Sequence, residues 1–157
     1  MMSTYKQILV AVDLSDDSQR LCRKTLDIVK GDKVNIVLIH VVEFMYQVGM
    51  SYDPMFYPSM EDLSENETLL IKSGEEKMAQ LIKTMSIPKT VCVESSVISG
   101  VPKTEILRLA EEKKTDLIVC GSHGRSGFAL LLGSTANAIL HHAPCDVLAV
   151  RSKKTKE

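Results

Sequence analysis

Apolar runs of strand length alternate with segments of helical periodicity along the chain. The periodicity predicts helices over about 14–30, 61–85, 102–114 and 129–140. Five apolar runs predict the strands: 7–13, 33–42, 89–98, 116–120 and 145–150. Nearly continuous apolar strands separated by helices predict a parallel α/β sheet with helices on both faces and right-handed crossovers. Because no linker or internal repeat interrupts this pattern, we expect a single domain over residues 1–157.

The segment 116–135, DLIVCGSHGRSGFALLLGST, carries the strongest chemical signal. A buried strand is followed by a loop with Gly121, Gly124 and Gly127, and then by a helical pattern. Glycines let the backbone approach a ligand, and the start of a helix favours an anion such as phosphate. Neither the GxxxxGK[ST] nor the GxGxxG motif is present. The loop alone is therefore explained equally well as a plain strand-to-helix turn.

Segment 43–59 has no clear period and contains five aromatic side chains and two prolines. A loop of this length with such apolar content predicts a flap or an interface. Packing against the chain's own core is an equal alternative.

Composition narrows the possible partners. The 157 residues carry a net charge of −1, so no bulk attraction to nucleic acid or to an acidic membrane surface is expected. No apolar run approaches the roughly 20 residues needed to cross a bilayer, and the first residues lack the organisation of a signal peptide. Four cysteines without a C-x-x-C spacing, three of them in apolar runs, indicate buried free thiols. These features predict a soluble, cytoplasmic protein without a membrane or nucleic-acid partner.

Several separated motifs, in one order over nearly the whole chain, resemble the universal stress protein family. They are YKQILVAVDLSDDS, VNIVLIHVV, SGVPKTEILRLAEEKKTDLIVCGSHG, the pair Gly133-Ser134 and APCDVLAV. The resemblance implies a Rossmann-like sheet of order 3-2-1-4-5, and a ligand position outside the carboxyl ends of the first and fourth strands. It also implies a homodimer formed through the fifth strand.

For ATP-binding members of that family, the resemblance implies where a nucleotide would lie. Residues expected beside adenine and ribose come from the first two strands, and residues expected near the ribose and phosphates come from the glycine loop and the helix after it. The set is Ala11, Val12, Asp13, Val41, Gly121, Gly124, Gly133, Ser134 and Thr135, with Arg125 outside the family pattern as an added charge. Mg²⁺ would arrive with the nucleotide, held mainly by its phosphates. As alternatives, Asp13 is a helix-capping carboxylate, and Ser134 and Thr135 form a plain helix N-cap.

The spacing of the glycines departs from the ATP-binding pattern. Eight residues separate Gly124 from Gly133, where that pattern has nine. One residue turns a helix by about 100° and moves it about 1.5 Å, and a shortened spacing resembles the branch of the family that does not hold ATP. Two functions therefore stay open: a stress-response regulator that binds ATP, and a dimeric stress or interaction protein without a nucleotide. An enzyme, such as a slow ATPase or a self-phosphorylating protein, has the weakest basis, since no catalytic base is matched to a nucleophile.

Histidines suggest no further chemistry from the sequence alone. The neighbours Ser122 and His123 are expected to point apart, which argues against a catalytic pair. His141 and His142 lie about 100° apart on a helix, which is poor geometry for one metal. His40 lies in an apolar strand and is interpreted as a satisfied core histidine. We therefore predict no catalytic and no metal-binding residue.

Overall fold

A computed structural model describes residues 5–29, 33–44, 59–123 and 132–151. In these ranges strands and helices alternate along the chain. The strands are β1 Gln7–Ala11, β2 Val34–Val42, β3 Val91–Ser99, β4 Leu117–Gly121 and β5 Asp146–Val150. The helices are α1 Asp17–Ile28, α2 Met60–Lys83, α3 Pro102–Glu112 and α4 Ser134–His142.

The five strands form one parallel sheet of order β3-β2-β1-β4-β5, as the family resemblance implied. Val10 in β1 lies opposite Leu38 in β2 on one side and Val119 in β4 on the other. The central strand is thus the first in the chain, and the strand order reverses between β1 and β4. Such a reversal opens a crevice at the carboxyl ends of the strands.

An apolar layer covers each face of the sheet. Ile8 and Val10 of β1 face the layer that contains Met78 of α2, while Leu9 faces the layer that contains Ile106 of α3 and Ile139 of α4. The β1 residues 8–10 are all 0% exposed, because neighbouring strands and both layers enclose them. Helices on both faces are therefore confirmed, and the nearly continuous apolar strands have their physical reason.

Asp116 fixes the start of β4 against the start of β1. Its carboxylate accepts hydrogen bonds from the backbone N–H groups of Lys6 at 2.8 Å and Gln7 at 3.2 Å. Its own N–H donates to the carbonyl of Gln7 at 2.9 Å. The side chain of Asp116 thereby satisfies two amides just before the pairing of β1 with β4 begins at Ile8 and Leu117. It also sets the register of these two strands.

Helix α2 approaches the sheet closely at Gly74, which is buried. A Cβ at this position would lie 2.9 Å from Val97 Cγ1 and 3.5 Å from His40 Cδ2. Two carbon atoms prefer a separation of about 3.5–4.0 Å. The helix therefore reaches this distance from β2 and β3 only because residue 74 has no side chain.

Some expectations about local structure are wrong. Strand β1 ends at Ala11, two residues early, because the chain turns towards α1. Leu132 lies before α4 rather than inside it, because Gly133 adopts an extended conformation (φ −60°, ψ 152°). Cys92 is exposed because β3 is an edge strand of the sheet, so only Cys22 and Cys120 are buried and Cys145 is half-buried. Most of the aromatic segment, residues 45–58, lies outside the described residues.

Candidate functional site

A cavity of about 340 Å³ lies where the strand order reverses. It is formed by the carboxyl ends of β1, β2, β4 and β5 and by the first turns of α1 and α4. The volume falls within the range typical of small-ligand pockets. Eight of the ten predicted site residues line it: Ala11, Val12, Asp13, Val41, Gly121, Gly133, Ser134 and Thr135. The other two, Gly124 and Arg125, lie outside the described residues.

Asp13 organises the turn between β1 and α1. Its Oδ1 accepts hydrogen bonds from Ser15 N (3.0 Å), Ser15 Oγ (2.6 Å) and Ser18 Oγ (3.1 Å). Asp16 occupies the N-cap position of α1, and its side chain makes no capping hydrogen bond, whereas Asp13 contacts the first turn of the helix through Ser18 Oγ. Leu14 between them has a φ of +58°, a left-handed conformation that costs a non-glycine residue about 1–2 kcal/mol. The turn thus holds a carboxylate at the cavity wall at some conformational cost.

Val41 lies in the part of β2 that extends beyond the end of the neighbouring strand β1. The β1–β2 pairing ends at Ala11 and Ile39, followed by one more hydrogen bond from Val12 N to Ile39 O at 2.9 Å. Val41 therefore has no residue opposite it in β1, and it lines the cavity. A planar ligand with a donor and an acceptor on one edge fits such an open strand edge.

Helix α4 begins at the cavity wall. Its first internal hydrogen bond runs from Asn137 N to Gly133 O at 2.8 Å, so the N–H groups of residues 134–136 precede the helical ladder. Gly133 is the N-cap and has no side chain to satisfy them. The alternative that Ser134 and Thr135 form the N-cap is therefore wrong, since both lie inside the first turn. The arrangement suits an anion.

The end of β4 is held on two sides. Ser122 N donates to Val150 O of β5 at 2.8 Å, and Gly133 N donates to Ser122 O at 2.9 Å. Ser122 Oγ lies 2.7 Å from His123 Nδ1. The expectation that these neighbouring side chains point apart is therefore wrong. His123 also lines the cavity.

His40 is a satisfied histidine, as predicted, because its Nδ1 lies 2.9 Å from the carbonyl oxygen of Val12. A carbonyl oxygen only accepts, so Nδ1 carries the proton. Sequence reasoning missed that His40 also reaches the cavity. The bond holds β2 against the chain just beyond β1, beside Val41.

Sequence reasoning also missed the charged residues that line the cavity. Arg20 of α1 donates from Nη1 to the carbonyl oxygen of Arg151 at 2.5 Å, just beyond β5, and Asp17 and Glu43 contribute carboxylates. Nothing in the sequence links positions 20 and 151. They meet because β1 and β5 both flank β4.

Cys120 contributes a thiol to the cavity wall. Burial raises its pKa to about 11, so it is protonated at neutral pH and a poor nucleophile. Among the described residues, no group of three or more His, Cys, Asp or Glu side chains is placed to hold a metal ion. Within the same residues, no helix combines the length and apolarity required to span a bilayer.

The structure is that of a doubly wound α/β protein with a cavity at the switch point of its sheet. The chain belongs to the universal stress protein family, whose sequence model matches residues 4–151. It is 38% identical over 153 residues to universal stress protein A homolog 2 of Coxiella burnetii, covering 97% of this chain and 99% of that protein.

Solved structures share the fold. Protein MJ0577, whose biochemical function was assigned from its structure, superposes with a TM-score of 0.79 at 24% identity, covering 96% of this chain and 99% of that one. UspA from Lactobacillus plantarum gives a TM-score of 0.69 at 29% identity, covering 94% and 98%.

Two further structures of the same fold contain nucleotides. A universal stress protein in complex with cAMP has a TM-score of 0.58 at 21% identity, covering 95% of this chain and 98% of that one. A family member from Arabidopsis thaliana with AMP bound has a TM-score of 0.54 at 20% identity, covering 96% and 94%. Nucleotide binding thus occurs on this fold.

Proposed function

We propose that this protein is a stress-response regulator that binds an adenine nucleotide, ATP, in the cavity between β1 and β4. The observation that carries the proposal is the convergence of three separate features on one cavity. These are the Asp13 turn, the open strand edge at Val41 and the uncapped start of α4. The cAMP and AMP held by proteins of the same fold support it.

Each feature has a matching part of the nucleotide. The backbone of Val41 pairs with the adenine edge, while Ala11 and Val12 pack beside it. The carboxylate of Asp13 accepts hydrogen bonds from ribose hydroxyls, and Gly121 leaves room for the sugar. The α4 start, with Gly133, Ser134 and Thr135, donates to the phosphates. Mg²⁺, where present, is held mainly by phosphate oxygens.

A homodimer through β5 is part of the proposal. Within the described chain β5 pairs only with β4, so one of its edges carries unpaired backbone groups. An exposed edge strand is a template for pairing, and a two-fold axis makes it its own complement. The cytoplasmic location expected from the cysteine pattern remains a prediction.

Isothermal titration calorimetry with Mg-ATP tests nucleotide binding. We expect a micromolar Kd, with bound nucleotide detected by mass spectrometry in the freshly purified protein. Gly124→Val should abolish binding, because a branched side chain blocks approach of the backbone to the phosphates. No heat and no thermal shift of the wild type at millimolar ATP would refute the proposal.

That negative result would favour the second candidate, a dimeric stress or interaction protein without a nucleotide. The eight-residue spacing before Gly133 is the observation in its favour. If ATP does bind, we expect very slow hydrolysis, because neither a general base nor a group that positions a water molecule can be named. Rapid phosphate release that disappears in Asp13→Asn would contradict this expectation.

A further inference from the structure

We propose that His123 is a phosphate-binding residue of the cavity and that Ser122 orients it. This inference rests on the proposed nucleotide site and adds a residue that the family pattern does not contain. The imidazole Nε2–H would donate a hydrogen bond to a phosphate oxygen, while Nδ1 stays bonded to Ser122.

The position of the pair is fixed by the backbone. Both backbone polar groups of Ser122 are engaged, its N–H with Val150 of β5 and its C=O with Gly133, the N-cap of α4. His123 follows directly and lines the same cavity as Gly133, Ser134 and Thr135. His123 and the N–H groups that precede the helical ladder therefore belong to one cavity. On this basis we assign both as donors to a single anion.

The 2.7 Å contact also determines which ring nitrogen a ligand meets. Because Nδ1 is engaged with Ser122 Oγ, Nε2 is the nitrogen left for a ligand. A serine hydroxyl can donate to an unprotonated Nδ1, and the neutral ring then carries its proton on Nε2. A bound phosphate selects this arrangement, since it accepts hydrogen bonds and offers no donor when fully ionised. Ser122 thus acts as a positioning residue for the donor.

Two substitutions of His123 distinguish a hydrogen bond made by Nε2 from one made by Nδ1. An asparagine amide reaches about as far as Nδ1, whereas a glutamine amide reaches about as far as Nε2. We would measure Kd by calorimetry for adenosine, AMP and ATP with the wild type, His123→Asn, His123→Gln and Ser122→Ala. His123→Asn should weaken AMP and ATP binding roughly 10- to 100-fold, the range expected for losing a hydrogen bond to a charged group. His123→Gln should stay within about threefold of the wild type for ATP, and adenosine should bind all four proteins within about threefold.

For Ser122→Ala we expect a smaller loss, about 3- to 10-fold for ATP. The ¹⁵N chemical shifts of His123 report its tautomer, and the Nε2–H form in the ATP complex should be depleted in this variant. A merely structural role of Ser122 would leave the shifts unchanged and would contradict its positioning role.

The outcomes distinguish this inference from the function on which it rests. A wild type that binds none of the three compounds refutes the nucleotide site itself. A wild type that binds ATP, with His123→Asn equally tight, refutes only the role of His123. Equal losses for adenosine and ATP, or equal losses in His123→Asn and His123→Gln, would also refute it, because the effect would then not depend on a donor at the Nε2 position.

Discussion

Replacing Gly74 by alanine tests the close approach of α2 to the sheet. In an open helix, this change should stabilise the fold by about 1 kcal/mol, because alanine has the higher helix propensity. Here the new methyl lies 2.9 Å from Val97 Cγ1, so one of the two must retreat by about 0.6 Å or more to reach an ordinary contact. Overpacking of this kind costs about 1–3 kcal/mol.

The steric cost should exceed the propensity gain. Val97 is β-branched and stiff about χ1, which limits its ability to move away. We expect Gly74→Ala to lower the free energy of unfolding by about 1 kcal/mol and Tm by about 2–4 °C. The contact with His40 Cδ2, at 3.5 Å, is ordinary, so ATP affinity should not change.

Urea denaturation with a matched control decides the outcome. Ala79→Gly, at an exposed position of the same helix, measures the propensity term without the contact. A second control is the double variant Gly74→Ala/Val97→Ala, which should lose less stability than the two single changes added together. If Gly74→Ala instead stabilises the protein by as much as Ala79→Gly destabilises it, no steric contact exists and the helix is not held at this distance.

Other consequences follow from the structure. Iodoacetamide at pH 8 should modify exposed Cys92 quickly and leave Cys22 and Cys120 unmodified, because burial raises the pKa of each of these two thiols to about 11. Equal labelling of all three cysteines, measured by mass spectrometry, would contradict this prediction. Asp116→Ala should destabilise the fold by about 1–3 kcal/mol in thermal unfolding, since the amides of Lys6 and Gln7 at the start of β1 lose their acceptor, and an unchanged Tm would refute that role. Leu148→Pro should convert a wild-type dimer to monomer or aggregate in sedimentation, and a wild type that is monomeric at tens of micromolar would refute the β5 interface.

The architecture could be predicted because strands that are buried on both faces consist of nearly continuous apolar runs, which are visible in the sequence. Runs such as 8–10 and 117–120 are enclosed on both faces, so composition, length and order were sufficient. The family motifs added the strand order, which periodicity alone does not contain. The boundaries of the elements were less predictable. The apolar periodicity continues across Gly133, although the helix itself begins only after that residue.

The site was predictable only where backbone geometry defines it. Asp13 lies two residues beyond the end of β1 and Gly121 ends β4, and the ends of these two strands converge in any sheet of this order. Side-chain contacts were not predictable in the same way. The bond between Ser122 and His123 depends on local torsion angles, and the contact of Arg20 with Arg151 depends on two elements at opposite ends of the chain.

The central position of β1 also has a consequence for synthesis of the chain. β1 and β2 leave the ribosome early, yet the second neighbour of β1 begins only at Leu117, 75 residues after β2 ends at Val42. At about 5–20 residues per second, this interval lasts roughly 4–15 s. During this interval, the edge of β1 that later pairs with β4 has no partner strand, and α4, which forms one wall of the cavity, has not been synthesised. The cavity at the switch point therefore cannot form, and no ligand bound there can stabilise β1 and β2, until the last third of the chain has been synthesised.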